Sequence, residues 1–283
     1  MPLVSMHKML QEADQGRYAI GAFNANNMEI VQAILEAAEA EQSPVIMQAS
    51  QGAIKYAGLE YITAIAKIAA NGKIPVALHL DHGTDFDQVV RCIRSGFSSI
   101  MYDGSKHSFE ENARVTRSVL DIARPLGISV EAEIGKIGGT EDDVSVDERD
   151  ALFTDPDEAA QFVAATGVEC LAVSVGTAHG QYKGEPKLDF ERLKAIKEKI
   201  KIPIVLHGSS GVPSEALQEA IRLGVCKINI DTNIREAFVL AMQQVMQANP
   251  EEIDPRKILG PAKDAAREII REKIRIFGSS HKA

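Results

Sequence analysis

The chain has 283 residues, 45% of them hydrophobic and 25% charged, a globular composition with ample length for a large core. A formal charge of -9 without a dense basic run excludes the electrostatic footprint of a nucleic-acid binder, and no apolar run approaches the roughly 18 residues of a membrane helix. Cys92, Cys170 and Cys226 are odd in number, far apart and form no CxxC pair, so they read as buried free thiols in a reducing, cytoplasmic setting.

The opening MPLVSMHKMLQEADQ reads as a short amphipathic helix, not a signal peptide. After it, short β-rich runs alternate with longer helical patterns. Strands are expected at 18–24, 44–50, 75–82, 98–105, 129–135, 170–176, 203–208 and 227–232. Several are near-continuous apolar runs, as in parallel strands buried on both faces. Helical patterns occupy stretches such as 28–42 and 110–127, and Gly96, Gly127, Gly167 and Gly224 each separate a helix from the next strand. The segments KIPVALHLDHG (73–83) and KIPIVLHGSSG (201–211) are near copies. Long connections at 136–155 and 176–187 follow strands and read as lids or binding loops. Residues 254–280 form a charged amphipathic helix after the eighth unit.

Eight βα units without a break in composition predict an α/β fold: a single (β/α)8 TIM barrel over 1–283 with an extra C-terminal helix. An open doubly wound sheet is the other arrangement of such units, but no G-x-G-x-x-G follows the first strand.

In a barrel the chemistry lies at the C-terminal strand ends. Those ends carry Asn24, Ser50, Asp81 with His82, Asp103, Glu131 with Glu133, His179, His207 with Ser209 and Ser210, and Asn229, Asp231 and Thr232. Any one of them alone is an ordinary cap or loop residue. His82, His179 and His207 together supply three neutral imidazoles, the donor set of an open catalytic zinc site. His79 lies deeper in its strand, on the face of Asp81, and fits a supporting partner better than a ligand. GSSG (208–211) and NIDT (229–232) close strands seven and eight, where barrels often bind phosphate. Val212-Pro213 opens a short helix there. Lys183 and Arg256 are candidate phosphate cations. A metal beside a phosphate site points to chemistry next to a carbonyl on a sugar phosphate, with a carboxylate such as Asp81 moving protons.

The segments GAFN (21–24), HLDHG (79–83), MYDGS (101–105), VEAEIGKIGGTEDD (130–143), GTAHGQYKGEPKLDF (176–190), LHGSSG (206–211) and KINIDTNIR (227–235) resemble the class II, zinc-dependent fructose-1,6-bisphosphate aldolases, in the compact-chain branch shared with tagatose-bisphosphate aldolases. The resemblance implies reversible cleavage of fructose-1,6-bisphosphate to dihydroxyacetone phosphate and glyceraldehyde-3-phosphate. It implies Zn²⁺ on His82, His179 and His207, with Glu133 and Asp103 as alternate or second-metal positions, and a monovalent cation, Na⁺ or K⁺, on carbonyls near Gly180 and Gly208. Asp81 and Glu141 become the acid–base residues. Gly180, Lys183, Gly208, Ser209, Ser210, Asn229, Ile230, Asp231 and Thr232 meet the donor's phosphate. Asn24 joins the substrate-binding set, Ser50 contacts the aldehyde half, and Arg256 reaches the second phosphate. A cytoplasmic homodimer or homotetramer is expected, with no nucleic acid or membrane partner. Asp231 tilts the reading from tagatose- to fructose-bisphosphate.

Three other readings remain: a tagatose-1,6-bisphosphate aldolase, a metal-dependent hydrolase on the same fold, and a non-catalytic sugar-phosphate sensor. A Schiff-base mechanism is not expected. Strand six ends in Ser174-Val175-Gly176, and Lys227 is expected at the start of strand eight, on the opposite barrel face.

Overall fold

The computed structural model describes residues 3–283 except 70, 142–143, 148–150, 183 and 185. Helix α1 (Met6–Gly16) leads into strand β1 (Ile20–Asn24), then α2 (Met28–Ala40) and β2 (Val45–Ser50). Two helices, α3 (Gln51–Ala57) and α4 (Leu59–Ala69), precede β3 (Val76–Gly83), followed by α5 (Phe86–Ser95), β4 (Ser99–Tyr102), α6 (Phe109–Ala123) and β5 (Ser129–Ile134). The connection after β5 holds strands β6 (Gly138–Glu141) and β7 (Val144–Val146) before α7 (Pro156–Thr166) and β8 (Cys170–Val173). A short β9 (Ala178–His179) precedes α8 (Phe190–Ile200), β10 (Ile204–Leu206), α9 (Ser214–Arg222), β11 (Val225–Ile230), α10 (Thr232–Ala248) and α11 (Pro255–Ile276).

The expected barrel is present. The strands close in the order β1-β11-β10-β8-β5-β4-β3-β2, every neighbouring pair parallel. β4, β8 and β10 end at Tyr102, Val173 and Leu206, before the 105, 176 and 208 that the sequence pattern suggests, because the residues that follow belong to loops. β6, β7 and β9 form a separate sheet above the barrel. His179 therefore sits on this loop sheet, not at the end of β8 as expected from its order in the chain.

Parallel register explains the interior. Residues paired side by side point to the same face. Ile20 pairs with Lys227 and Ala22 with Asn229, Asn24 pairs with Gln48, Gln48 with His79, and Met101 with Glu131. These side chains point into the barrel, while Phe23, Met47, Leu78, Ile100 and Val130 alternate with them into the layer beneath the helices. At the N-terminal end, Met6, Met9 and Leu10 of α1 pack with Ile20, Ile46, Ala77, Cys170 and Val205 and plug the barrel.

Local signals account for the helices. Asn27, Asp85, Ser108, Asp155 and Asp254 cap helix N-termini through their side chains. Gly96 and Gly167 end α5 and α7 at φ +96° and +69°, where a Cβ would be strained. Pro125, in a 3-10 turn at Arg124–Leu126, stops α6 short of the expected 127. The C-terminal helix α11 lies along α2. Glu36 pairs with Lys263 at 2.6 Å and Arg267 at 3.1 Å, and Glu41 with Arg271 at 3.0 Å and Arg275 at 2.6 Å. All three cysteines are free and buried. Among the described residues no helix is long and apolar enough to cross a membrane.

Candidate active site

Asp81 and His82 are consecutive, yet both face the barrel interior. Regular strand geometry would turn one of them outward. His82 avoids this with φ +47°, a left-handed conformation rare for a residue with a Cβ, and the β3–β4 register shifts between Leu80 and Gly83. Gly83 makes the bend feasible, since a Cβ there would lie 2.6 Å from the Met101 carbonyl oxygen. Alternation alone would have favoured His79 over His82; the kink is the physical reason the order reverses.

The bend brings His82 to His207 and His179. Their ring centroids lie 4.6 Å and 5.0 Å away, respectively. One nitrogen from each of the three histidines lies within 4.8 Å of the others, and all three residues are buried. His82 Nδ1 meets Asp103 Oδ2 at 2.8 Å, and His207 Nε2 meets Glu131 Oε1 at 2.8 Å. Each carboxylate takes the N–H of its ring, which leaves His82 Nε2 and His207 Nδ1 to face one another at 2.9 Å. Two nitrogens about 2.0–2.1 Å from one tetrahedral metal stand roughly 3.4 Å apart, so a slight opening of this pair lets the converging donors hold a metal. Burial, with help from His82, lowers His179 to about 3, so it stays neutral, the form that ligates.

His82, Asp103 and Glu133 form a second group of converging donors. The Glu133 Oε2 atom is buried without a hydrogen-bond partner among the described residues. Burial and the nearby Asp103 push its carboxyl well above the usual range, against the pull of His82. A cation would compensate this buried oxygen.

Asp81 is fully buried. Its Oδ2 accepts from Asn24 Nδ2 at 2.9 Å and Gln48 Nε2 at 3.0 Å, and its Oδ1 from Asn229 Nδ2 at 3.2 Å. Burial acts to raise the Asp81 carboxyl, but His82, His207, Lys227 and the bond from Asn24 outweigh it and hold it below its ordinary value. Asn24 therefore touches the candidate base directly. Gln48, absent from the sequence-derived set, does so too. A glutamine in the otherwise apolar run PVIMQAS, paired in register with Asn24, was the available signal.

Beside His179, one cleft is lined by Gly180, Gly208, Ser209, Ser210, Asn229, Asp231 and Thr232. Of the sequence-derived phosphate residues, these seven thus converge, while the side chain of Ile230 turns into the layer under the helices. The N-terminus of α10 opens at Thr232, and α9 begins after Val212-Pro213 as expected. Asp231 Oδ2 pairs with Arg235 at 2.6 Å.

Ser50 and Arg256 do not line this cleft, although Ser50 pairs in register with Asp81. Ser50 is buried and its hydroxyl caps α3 by accepting from Ala53 N at 3.1 Å. Arg256 is held on the surface by Asp254 at 2.7 Å, with its side chain 89% exposed, and does not line the cleft. Glu141 ends β6, and its side chain, like the whole of Lys183, lies outside the described residues. Lys227 requires a correction. It is the third residue of β11 and points into the barrel, with its Nζ 2.9 Å from Glu131 Oε2 and both side chains fully buried. The strand starts two residues earlier than the apolar pattern indicates, which moves Lys227 from the rim to the interior. His79 is also buried, its Nδ1 2.7 Å from Ser99 Oγ and its Nε2 3.5 Å from Glu131 Oε2, in contact with the support of His207 and not with the histidine cluster.

Residues 4–282 match the family model described as fructose-bisphosphate aldolase class-II. The chain belongs to the class-II fructose-bisphosphate aldolase family. It is therefore an aldehyde-lyase of the metal-dependent type, in keeping with the histidine cluster. It is 48% identical to a fructose-bisphosphate aldolase of Geobacillus stearothermophilus, over 100% of this chain and 99% of that one. A sulfofructosephosphate aldolase of Alkalicoccus urumqiensis is also 48% identical, again over 100% and 99%. Among solved structures, the YdjI aldolase of Escherichia coli K12 superposes with a TM-score of 0.88 at 35% identity, covering 99% of each chain.

Proposed function

We propose that this chain, acting as one barrel domain, reversibly cleaves fructose-1,6-bisphosphate to dihydroxyacetone phosphate and glyceraldehyde-3-phosphate. The observation that carries the reading is the contiguity of three elements: Asp81 adjoins His82, His82 faces His179 and His207, and His179 lines the cleft of Gly208, Ser210 and Thr232. A base, a metal position and an anion cradle thus share one wall.

In this reading His82, His179 and His207 hold Zn²⁺, with Asp103 and Glu133 as an alternate or second position. The bound ion supplies Lewis-acid polarisation of the substrate's ketone. The cleft binds the phosphate next to that ketone through backbone N–H groups, the Ser210 and Thr232 hydroxyls and the α10 N-terminus, with Lys183 adding charge. A monovalent cation belongs on carbonyls near Gly180 and Gly208. Asp81 takes the proton from the hydroxyl on C4. The C3–C4 bond breaks, the aldehyde leaves, and the electron pair remains on C3, which Glu141 protonates. The three amides around Asp81 hold its carboxylate in place for this transfer. Arg256, extended on the surface, suits an arginine that serves the site of a second copy in a homodimer or homotetramer.

Metal-replete enzyme is incubated with fructose-1,6-bisphosphate, tagatose-1,6-bisphosphate and sulfofructose phosphate, with and without EDTA. Triose-phosphate release is expected to be fastest from fructose-1,6-bisphosphate, to vanish with EDTA and to return with Zn²⁺. Full activity in a verified metal-free sample would refute the metal-dependent reading. Release of inorganic phosphate in place of triose phosphates would assign a hydrolase. Faster cleavage of either competing sugar would reassign the substrate.

A further inference from the structure

The loop carrying His179 and the loop following His207 meet backbone against backbone. Gly208 has φ +62°, and a Cβ there would lie 2.5 Å from Ala178 O and 2.6 Å from Ala178 C. One side chain bridges this junction. The Tyr182 hydroxyl accepts from Ala178 N at 2.7 Å and donates to Gly208 O at 2.7 Å. Ala178 immediately precedes His179, and Gly208 immediately follows His207. The ring lies flush against the last glycine of GSSG, because a Cβ at Gly211 would come within 2.6 Å of Tyr182 Cδ2. The rest of the side chain packs on the hydrophobic core.

We propose that Tyr182 is a positioning residue of the aldolase: its hydroxyl locks the Gly208–Gly211 loop to the His179 loop, so that the anion cleft is formed before substrate arrives. The proposal rests on the phosphate role given to that cleft above. A phenol suits the task. Its single O–H donates once and its lone pairs accept, and its ring loses little conformational freedom on being held. Two loops that share one hydroxyl cannot drift apart without leaving a donor and an acceptor unpaired. A cleft held open in its bound shape avoids an ordering cost on binding. Tyr182 contacts backbone and not the candidate reacting residues, so its loss should weaken anion binding more than turnover.

Tyr182→Phe tests this, since it keeps the ring on Gly211 and removes only the hydroxyl. Ser210→Ala, which removes a proposed anion donor, is measured alongside. Both metal-loaded variants are assayed for KM and kcat with fructose-1,6-bisphosphate and for competitive inhibition by inorganic phosphate. In Tyr182→Phe, KM and the phosphate inhibition constant are expected to rise together by about tenfold, or about 1.4 kcal/mol, with kcat altered by less than about threefold. A uniform loosening of the fold would lower kcat as well. If Ser210→Ala raises both constants and Tyr182→Phe moves neither, the lock is refuted while the phosphate reading stands. If neither variant moves either constant, the phosphate reading itself fails. A fall in kcat with unchanged KM in Tyr182→Phe also overturns the proposal, since it would place the residue in the chemical step.

Discussion

Lys227 and Glu131 form an ion pair 2.9 Å long at the centre of the barrel, with both side chains fully buried. The other Glu131 oxygen meets His207 at 2.8 Å, so the pair underlies the candidate metal centre. Removing one member of a buried pair leaves the other uncompensated, and Lys227→Met is expected to destabilise the protein by about 3–5 kcal/mol, read from urea melts. Glu131→Gln keeps an acceptor for His207 but gives up the charge. Its affinity for Zn²⁺, measured by competition with a chromophoric chelator, should fall by about 10–100-fold. Wild-type affinity in that variant would remove Glu131 from the metal support.

Asp81→Asn preserves the size of the side chain among Asn24, Gln48 and Asn229 while removing the base. Zinc content by elemental analysis is expected to match the wild type, and kcat for cleavage to fall by about 10²–10⁴. Asn24→Ala and Gln48→Ala should reduce kcat less, because each leaves Asp81 with its other amide partners. A normal kcat in Asp81→Asn would exclude the proton transfer assigned to it.

Gly208→Ala combines two penalties. Its φ of +62° is unfavourable for any residue with a Cβ, and that Cβ would meet the Ala178 backbone at 2.5 Å. The conformational part alone costs about 1–2 kcal/mol. A lowered Tm with a raised KM is the expected result from calorimetry and steady-state kinetics. Gly127→Ala, where a Cβ meets nothing within 4 Å but φ is +70°, isolates the conformational part and should leave KM unchanged.

The seam between α2 and α11 predicts the acid response of stability. Hydrogen bonds from Arg275 and Arg271 hold the Glu41 carboxyl below its ordinary value. Burial acts to raise Glu36, but Lys263 and Arg267 prevail and lower it too. A carboxyl depressed in the folded state stabilises the fold above its unfolded value of about 4.3 and ceases to do so as pH falls through the lower folded value. Tm should therefore drop as pH is lowered from about 5 toward 3, and Glu41→Gln should flatten that dependence. An identical slope in the variant would show that the seam does not govern acid stability.

Much of the site was legible from strand order. Asp81 and Asn229 lie near strand ends and His207 and Thr232 just beyond them, where a period of two and the barrel rule together place polar groups. His179 was recognisable as a candidate, but its position was not. It lies on β9, held in register by β6, and Gly139 permits that contact because a Cβ there would lie 2.2 Å from the His179 carbonyl oxygen. Gln48, Glu131, Lys227 and Tyr182 were missed or misplaced for a common reason: their partners are 24 to 96 residues away or across a loop junction, as in Gln48 with Asn24 and Lys227 with Glu131.

The sequence by itself determined the eightfold alternation, the helix caps and the identity of the three histidines, because periodicity and capping are local properties of the chain. Only the tertiary structure decided which faces those histidines present. The left-handed turn at His82 reverses the alternation that would otherwise separate it from Asp81, and barrel closure sets Glu131 against Lys227 and His207. Both depend on which strands become neighbours. That choice is made by packing the whole barrel at once, through contacts that no local window of sequence contains.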